Sequence, residues 1–139
     1  MSEATMTAIH HVAINVHDLE RAERWYTEVL DFRRLGPFAG EGFQRMLVRH
    51  PSGIVLGLTK HDDPEADTQF SERRTGLDHV AFQVADRDQL EAWIARFDGL
   101  GVAHSEIKQT PLTGSFLVAF RDPDGIQLEL YAPGQMAAR

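Results

Sequence analysis

The alternation of apolar and polar residues is strongest in two short stretches, and the two read alike. His11-Val12-Ala13-Ile14-Asn15-Val16 and His79-Val80-Ala81-Phe82-Gln83-Val84 both run His, Val, Ala, apolar, amide, Val. A period of two is the signature of a half-buried strand, so strands are expected over 9–16 and 77–84. Behind each the period lengthens to that of a helix. Leu19, Ala22, Tyr26, Val29 and Leu30 form one stripe, with Asp18 placed to cap it. Leu90, Trp93, Ile94 and Phe97 form the other, with Asp86 and Gln89 spaced as a capping box. The helices are expected to end near Asp31-Phe32 and near Gly99-Leu100-Gly101. Further strands are expected at about 32–36, 43–49 and 53–60, and again at 103–108, 115–121 and 125–131. Pro51-Ser52-Gly53 and Pro123-Asp124-Gly125 supply hairpin turns between the last two strands of each set.

The two sets are copies of one unit. A shift of 68 residues (79 − 11) superposes the opening strands, and it also carries Asp18 onto Asp86 and Trp25 onto Trp93. Pro51-Ser52-Gly53-Ile54 matches Pro123-Asp124-Gly125-Ile126 at a shift of 72 (123 − 51), so the second copy gains four residues on the way. The copies span 8–61 and 76–132, with a polar linker over 62–75, inside one domain that takes in residues 1–139. The chain is long enough for two half-domains and too short for two ordinary domains.

The repeat gives the histidines a common address. In each opening strand Val12, Ile14 and Val16, or Val80, Phe82 and Val84, belong to one face; His11, Ala13 and Asn15, or His79, Ala81 and Gln83, belong to the other. In the last strand Ile126, Leu128 and Leu130 oppose Gln127, Glu129 and Tyr131. Two His and one Glu therefore lie on polar strand faces. That donor set suits a divalent Fe, Mn, Zn, Ni or Co ion, and three protein donors leave positions open for water or substrate. His10, the counterpart of Asp78, is expected to point to the opposite face from His11. His17, His50, His61 and His104 are expected at the surface, as are Arg45, Arg49 and Arg121, unless one of these arginines binds an anionic substrate. Trp25, Tyr26, Trp93 and Phe97 are expected in the core.

Composition narrows the field. The chain has no cysteine, which excludes disulfides and thiolate metal sites. With 21 acidic against 14 basic residues the net charge is −7, which argues against a nucleic-acid partner. No apolar run reaches the ~20 residues of a membrane span, and Met1–Met6, without a basic region followed by an apolar one, are not expected to act as an export signal. A cytoplasmic protein acting on a small molecule is expected.

The motifs His11-Val-Ala-Ile-Asn-Val-His-Asp-Leu-Glu20, Trp25-Tyr26, Val29-Leu-Asp-Phe32, His79-Val-Ala-Phe-Gln-Val84 and Asp122-Pro-Asp-Gly-Ile-Gln-Leu-Glu129 resemble the vicinal-oxygen-chelate superfamily over nearly the whole chain. That group takes in glyoxalase I, extradiol dioxygenases, fosfomycin-resistance proteins, methylmalonyl-CoA epimerase and bleomycin-resistance proteins. The resemblance implies an α+β fold of paired βαβββ modules, whose eight strands form a curled mixed sheet around a metal cleft. It implies a metal held by His11, His79 and Glu129, with Glu129 also catalytic, and a homodimer. It implies glyoxalase-like lyase or isomerase chemistry or extradiol-type oxygenation; the alternative is a resistance protein that binds an antibiotic without turning it over. One position departs: Glu129 maps back (129 − 72) to Gly57, where glyoxalase I and the epimerases carry Glu or Gln. The His and Tyr that dioxygenases carry before the Asp-Pro turn have no counterpart in Gly114-Ser115-Phe116-Leu117-Val118-Ala119-Phe120-Arg121.

Overall fold

A computed structural model describes residues 2–63 and 69–134. The middle of the expected linker, 64–68, lies outside the described residues. The chain divides into two compact units, Met1–Ala66 and Asp67–Arg139.

Each unit is one βαβββ module. In the first, β1 (Val12–Asn15) leads into α1 (Leu19–Leu30), followed by β2 (Arg33–Gly40), β3 (Phe43–Arg49) and β4 (Val55–His61). In the second, β5 (Val80–Gln83) and α2 (Arg87–Leu100) precede β6 (Lys108–Gln109), β7 (Phe116–Arg121) and β8 (Gln127–Ala132). The eight strands fall into two four-stranded mixed sheets, β1-β4-β3-β2 and β5-β8-β7-β6. In both, the first strand runs parallel to the last and the others pair antiparallel.

The expected caps form. Asp18 Oδ1 accepts from the Arg21 N–H at 3.1 Å, and Asp86 Oδ1 from the Gln89 N–H at 3.0 Å, satisfying N–H groups that the first helical turn leaves over. Helix α2 stops at Gly101 in the left-handed region. Helix α1 stops at Asp31, a non-glycine with φ of 64°. The second hairpin turn is tied by Asp122, whose carboxylate accepts from the N–H groups of Asp124 and Ile126, each at 2.9 Å.

The helix-facing side of each sheet is the core. Tyr26, Val48, Leu56 and Leu58 are buried in the first unit, and Leu90, Phe97, Val118 and Leu128 in the second. Each contributes roughly 1.5–3 kcal/mol through burial. Trp25 and Trp93, expected beside them, are only half-buried. The expected strand at 103–108 is reduced to Lys108–Gln109 plus a single bridge from His104 to Phe120. The opening strands are also shorter than expected, and both start one residue after the histidine. Among the described residues, no helix is long and apolar enough to cross a membrane.

Candidate metal centre

His79 stands at the foot of β5, and Glu129 lies on β8, opposite Ala81 across the parallel pair. Register brings the two side chains together. His79 Nε2 is 3.1 Å from Glu129 Oε2. Glu129 is 7% exposed, and its Oε2 is buried with no hydrogen-bond partner among the described residues. The imidazole is therefore close to the oxygen without pointing an N–H at it. A buried carboxylate oxygen left in this way is costly unless a cation completes its surroundings. Two adjacent donors bound about 2.1 Å from one ion at right angles sit about 3 Å apart, so the spacing fits a shared divalent ion.

The other atoms of the pair are held from behind. Asp78 Oδ1 lies 2.7 Å from His79 Nδ1, which leaves Nε2 as the outward donor. Gln127 Nε2 donates to Glu129 Oε1 at 3.2 Å. Gln127 is in turn held by Arg121, whose Nη2 donates to Gln127 Oε1 at 3.3 Å. The Arg121 guanidinium also donates to Glu72 at 3.1 and 3.2 Å and to the Gly125 carbonyl at 2.8 Å. This pairing with Arg121 lowers the Glu72 pKa. Burial, and then the negative charge of Glu129, push the Tyr131 phenol above its usual value and keep it protonated.

His11 occupies the equivalent place in the first unit. It is exposed, precedes β1, and has its Nδ1 2.9 Å from His10 Nδ1. His10 thus contacts His11 from the place in the repeat that Asp78 holds beside His79. The expectation that His10 points away is corrected: alternation does not apply, because the strand begins only at Val12. Of the three expected ligands, the structure brings His79 and Glu129 together, while His11 belongs to the other unit. Among the described residues, no three His, Cys, Asp or Glu side chains gather as a metal cluster.

Other expectations are revised as well. Arg121 belongs to the network behind Glu129 and is not a loose edge residue. His104 is fixed through both ring nitrogens, to the Ser105 carbonyl at 2.8 Å and Asp98 Oδ1 at 2.7 Å. His50 is half-buried against Phe32. His61, by contrast, is exposed as expected, at the end of β4, and the β3–β4 register is regular up to it. The roles of Asp78 and Gln127 do not follow from the alternation of the strands. The signal for Asp78 was its repeat equivalence to His10, and for Gln127 its position two residues before Glu129 on the same strand face.

The family model described as Glyoxalase/Bleomycin resistance protein/Dioxygenase superfamily matches residues 8–130. The chain belongs to this superfamily. The glyoxalase/bleomycin resistance/dioxygenase domain from Frankia sp. EAN1pec, a solved structure, has 32% identity and a TM-score of 0.84, covering 94% of this chain and 95% of that one. YwkD of Bacillus subtilis, an uncharacterized protein, is 30% identical over 91% of this chain and 97% of its own length. A 2-epi-5-epi-valiolone epimerase from an Actinomyces species is 30% identical over 88% of this chain and 78% of its own length. The superfamily thus takes in enzymes as well as resistance proteins.

Proposed function

We propose that this superfamily member is a metal-dependent enzyme acting on a small molecule chelated through two adjacent oxygens, by lyase, isomerase or oxygenase chemistry. The observation that carries this reading is the buried, unpartnered Glu129 Oε2 beside His79 Nε2 at 3.1 Å. In this reading His79, Glu129 and His11 hold a divalent Fe, Mn, Zn, Ni or Co ion; His11 is included for its equivalent place in the repeat. The set closes within one chain or between the copies of a homodimer. Such an ion, when bound, stabilises negative charge developing on the substrate oxygens.

The protein's own groups do the rest. Asp78 fixes the His79 ring so that Nε2 faces outward. Gln127, held by Arg121, fixes one oxygen of Glu129. Glu129 is the carboxylate at hand to hold a proton drawn from carbon next to the chelated oxygens, and Tyr131 beside it keeps a proton to give.

Metal analysis of protein purified without chelator is the first test, followed by oxygen uptake with catechol under Fe²⁺ and a panel of glyoxalase substrates. Bound or titratable divalent metal with turnover of one class is expected. Protein that holds no metal and takes up none on titration overturns the reading.

A second reading, a non-catalytic binder of an antibiotic or other small molecule, is favoured by Gly57 in the first unit. There the position equivalent to Glu129 offers no donor, and the same sheet carries the paired rings of Phe38 and Phe43, 6.0 Å apart. Tight ligand binding by metal-free protein without turnover selects it.

A further inference from the structure

The face of the first sheet that turns away from α1 carries a cationic group built into place. Arg45 lies in register with Thr59 on β4 and Phe38 on β2. Its Nε donates to Thr59 Oγ1 at 2.8 Å. Thr59 is 1% exposed, and its hydroxyl donates to the Gly57 carbonyl at 3.3 Å, leaving oxygen lone pairs for Arg45. The guanidinium carbon sits 4.7 Å from the centre of the Phe43 ring and 6.0 Å from that of Phe38.

Two glycines make room for this arrangement. A Cβ at Gly57 would lie 2.9 Å from Arg45 Cδ, and a Cβ at Gly40 would run into the Phe43 ring. Among the described residues, no carboxylate pairs with Arg45; Thr59 and the two rings are its partners. A solvated surface arginine is loosely held and gains little from its partners. Here Nε is tied to a buried hydroxyl and the guanidinium carbon lies over the Phe43 ring with Phe38 nearby, so much of the ordering entropy is already spent. What is left is the Nη1–Nη2 edge, a fork of N–H donors that matches the two oxygens of a carboxylate. The net charge of −7 repels anions in general, so retention of one depends on such a local group.

We propose that Arg45 is a substrate-binding residue that takes a carboxylate group of the ligand on its Nη edge, with Phe38 and Phe43 flanking the adjoining carbon skeleton. The proposal rests on the reading above in one respect, that the protein binds a small molecule; the sheet face away from α1 is where Arg45 would receive it. It makes Arg45 a specificity determinant: acids are accepted, and their neutral amides or esters are refused.

The test follows the arginine Nε–H resonances of full-length, nitrogen-labelled protein during titration with sodium benzoate, benzamide and inorganic phosphate. Benzoate is expected to shift the Arg45 Nε–H saturably and benzamide to leave it in place. Arg45→Met, which keeps the stem over Gly57, is expected to weaken benzoate binding roughly tenfold or more. Arg45→Lys, lacking the fork, is also expected to weaken it. No saturable shift with benzoate, equal benzoate affinity in Arg45→Met, or tighter binding of phosphate than of benzoate overturns the proposal. If the variants fail to fold, the wild-type resonance alone decides. Metal content is measured on the same sample: metal-free protein that takes up no metal yet shifts at Arg45 sinks the metal reading and leaves this one standing.

Discussion

Glu129 and Gly57 hold the same register position in the two sheets, Glu129 opposite Ala81 across β5–β8 and Gly57 opposite Ala13 across β1–β4. In one unit that position supplies a buried carboxylate; in the other it supplies room for the stem of Arg45. Restoring symmetry with Gly57→Glu is therefore expected to displace Arg45 and break its bond to Thr59. A loss of about 1–3 kcal/mol in urea unfolding is expected, with a smaller loss for Gly57→Ala. A Gly57→Glu protein as stable as wild type contradicts this account.

Glu129→Gln separates the cost of the buried charge from its use. Without metal, the variant is expected to be at least as stable as wild type, because an uncompensated charge has been removed. Its metal affinity is expected to fall more than roughly 100-fold, whereas Asp78→Asn and Gln127→Ala, which disturb only the groups behind the ligands, lose roughly 10–100-fold. Calorimetric titration with a divalent ion reads all three. Unchanged affinity in Glu129→Gln removes it from the ligand set.

Mixing variants tests how the ligand set closes. If His11 of one copy serves with His79 and Glu129 of another, His11→Ala and His79→Ala proteins, each inactive, are expected to regain about a quarter of wild-type metal binding after joint refolding, since half of each mixed dimer is intact. Closure within one chain gives no recovery.

His104 carries a pH dependence of stability. Its two ring nitrogens face the Ser105 carbonyl and Asp98, and only the imidazolium has an N–H for each. The hydrogen bond to Ser105, then that to Asp98, raises its pKa above 6.5. A raised folded-state pKa gives stability that is fully present below 6.5, the ordinary value, and is lost as pH rises through the folded value. The stability difference between wild type and His104→Gln is expected to be largest in mild acid, up to about 1 kcal/mol, and to fade in mild alkali. Urea midpoints across that range check it, and a difference that grows with pH contradicts it.

Much of each module could be read from local pattern. The helix stripes, the caps at Asp18 and Asp86, and the hairpin turns involve residues close in sequence, and they form where the pattern places them. The positions where local pattern and structure differ lie at strand edges. Alternation fails at His10, before the strand begins, and over 103–108, where His104 and Ser105 bond to Asp98 and Ala119 and a full ladder does not form.

The doubled βαβββ unit and the places of His11, His79 and Glu129 are legible along the chain, because periodicity and repetition are properties of residue order. Which side chains become neighbours is set by folding in three dimensions. Arg121 reaches Glu72 across 49 positions and holds Gln127 behind Glu129; Arg45 crosses Gly57 to meet Thr59. Those contacts depend on strand register and on the room left by neighbouring side chains. Both are set when the sheet assembles, since a slip of one residue would send each of these groups to the opposite face.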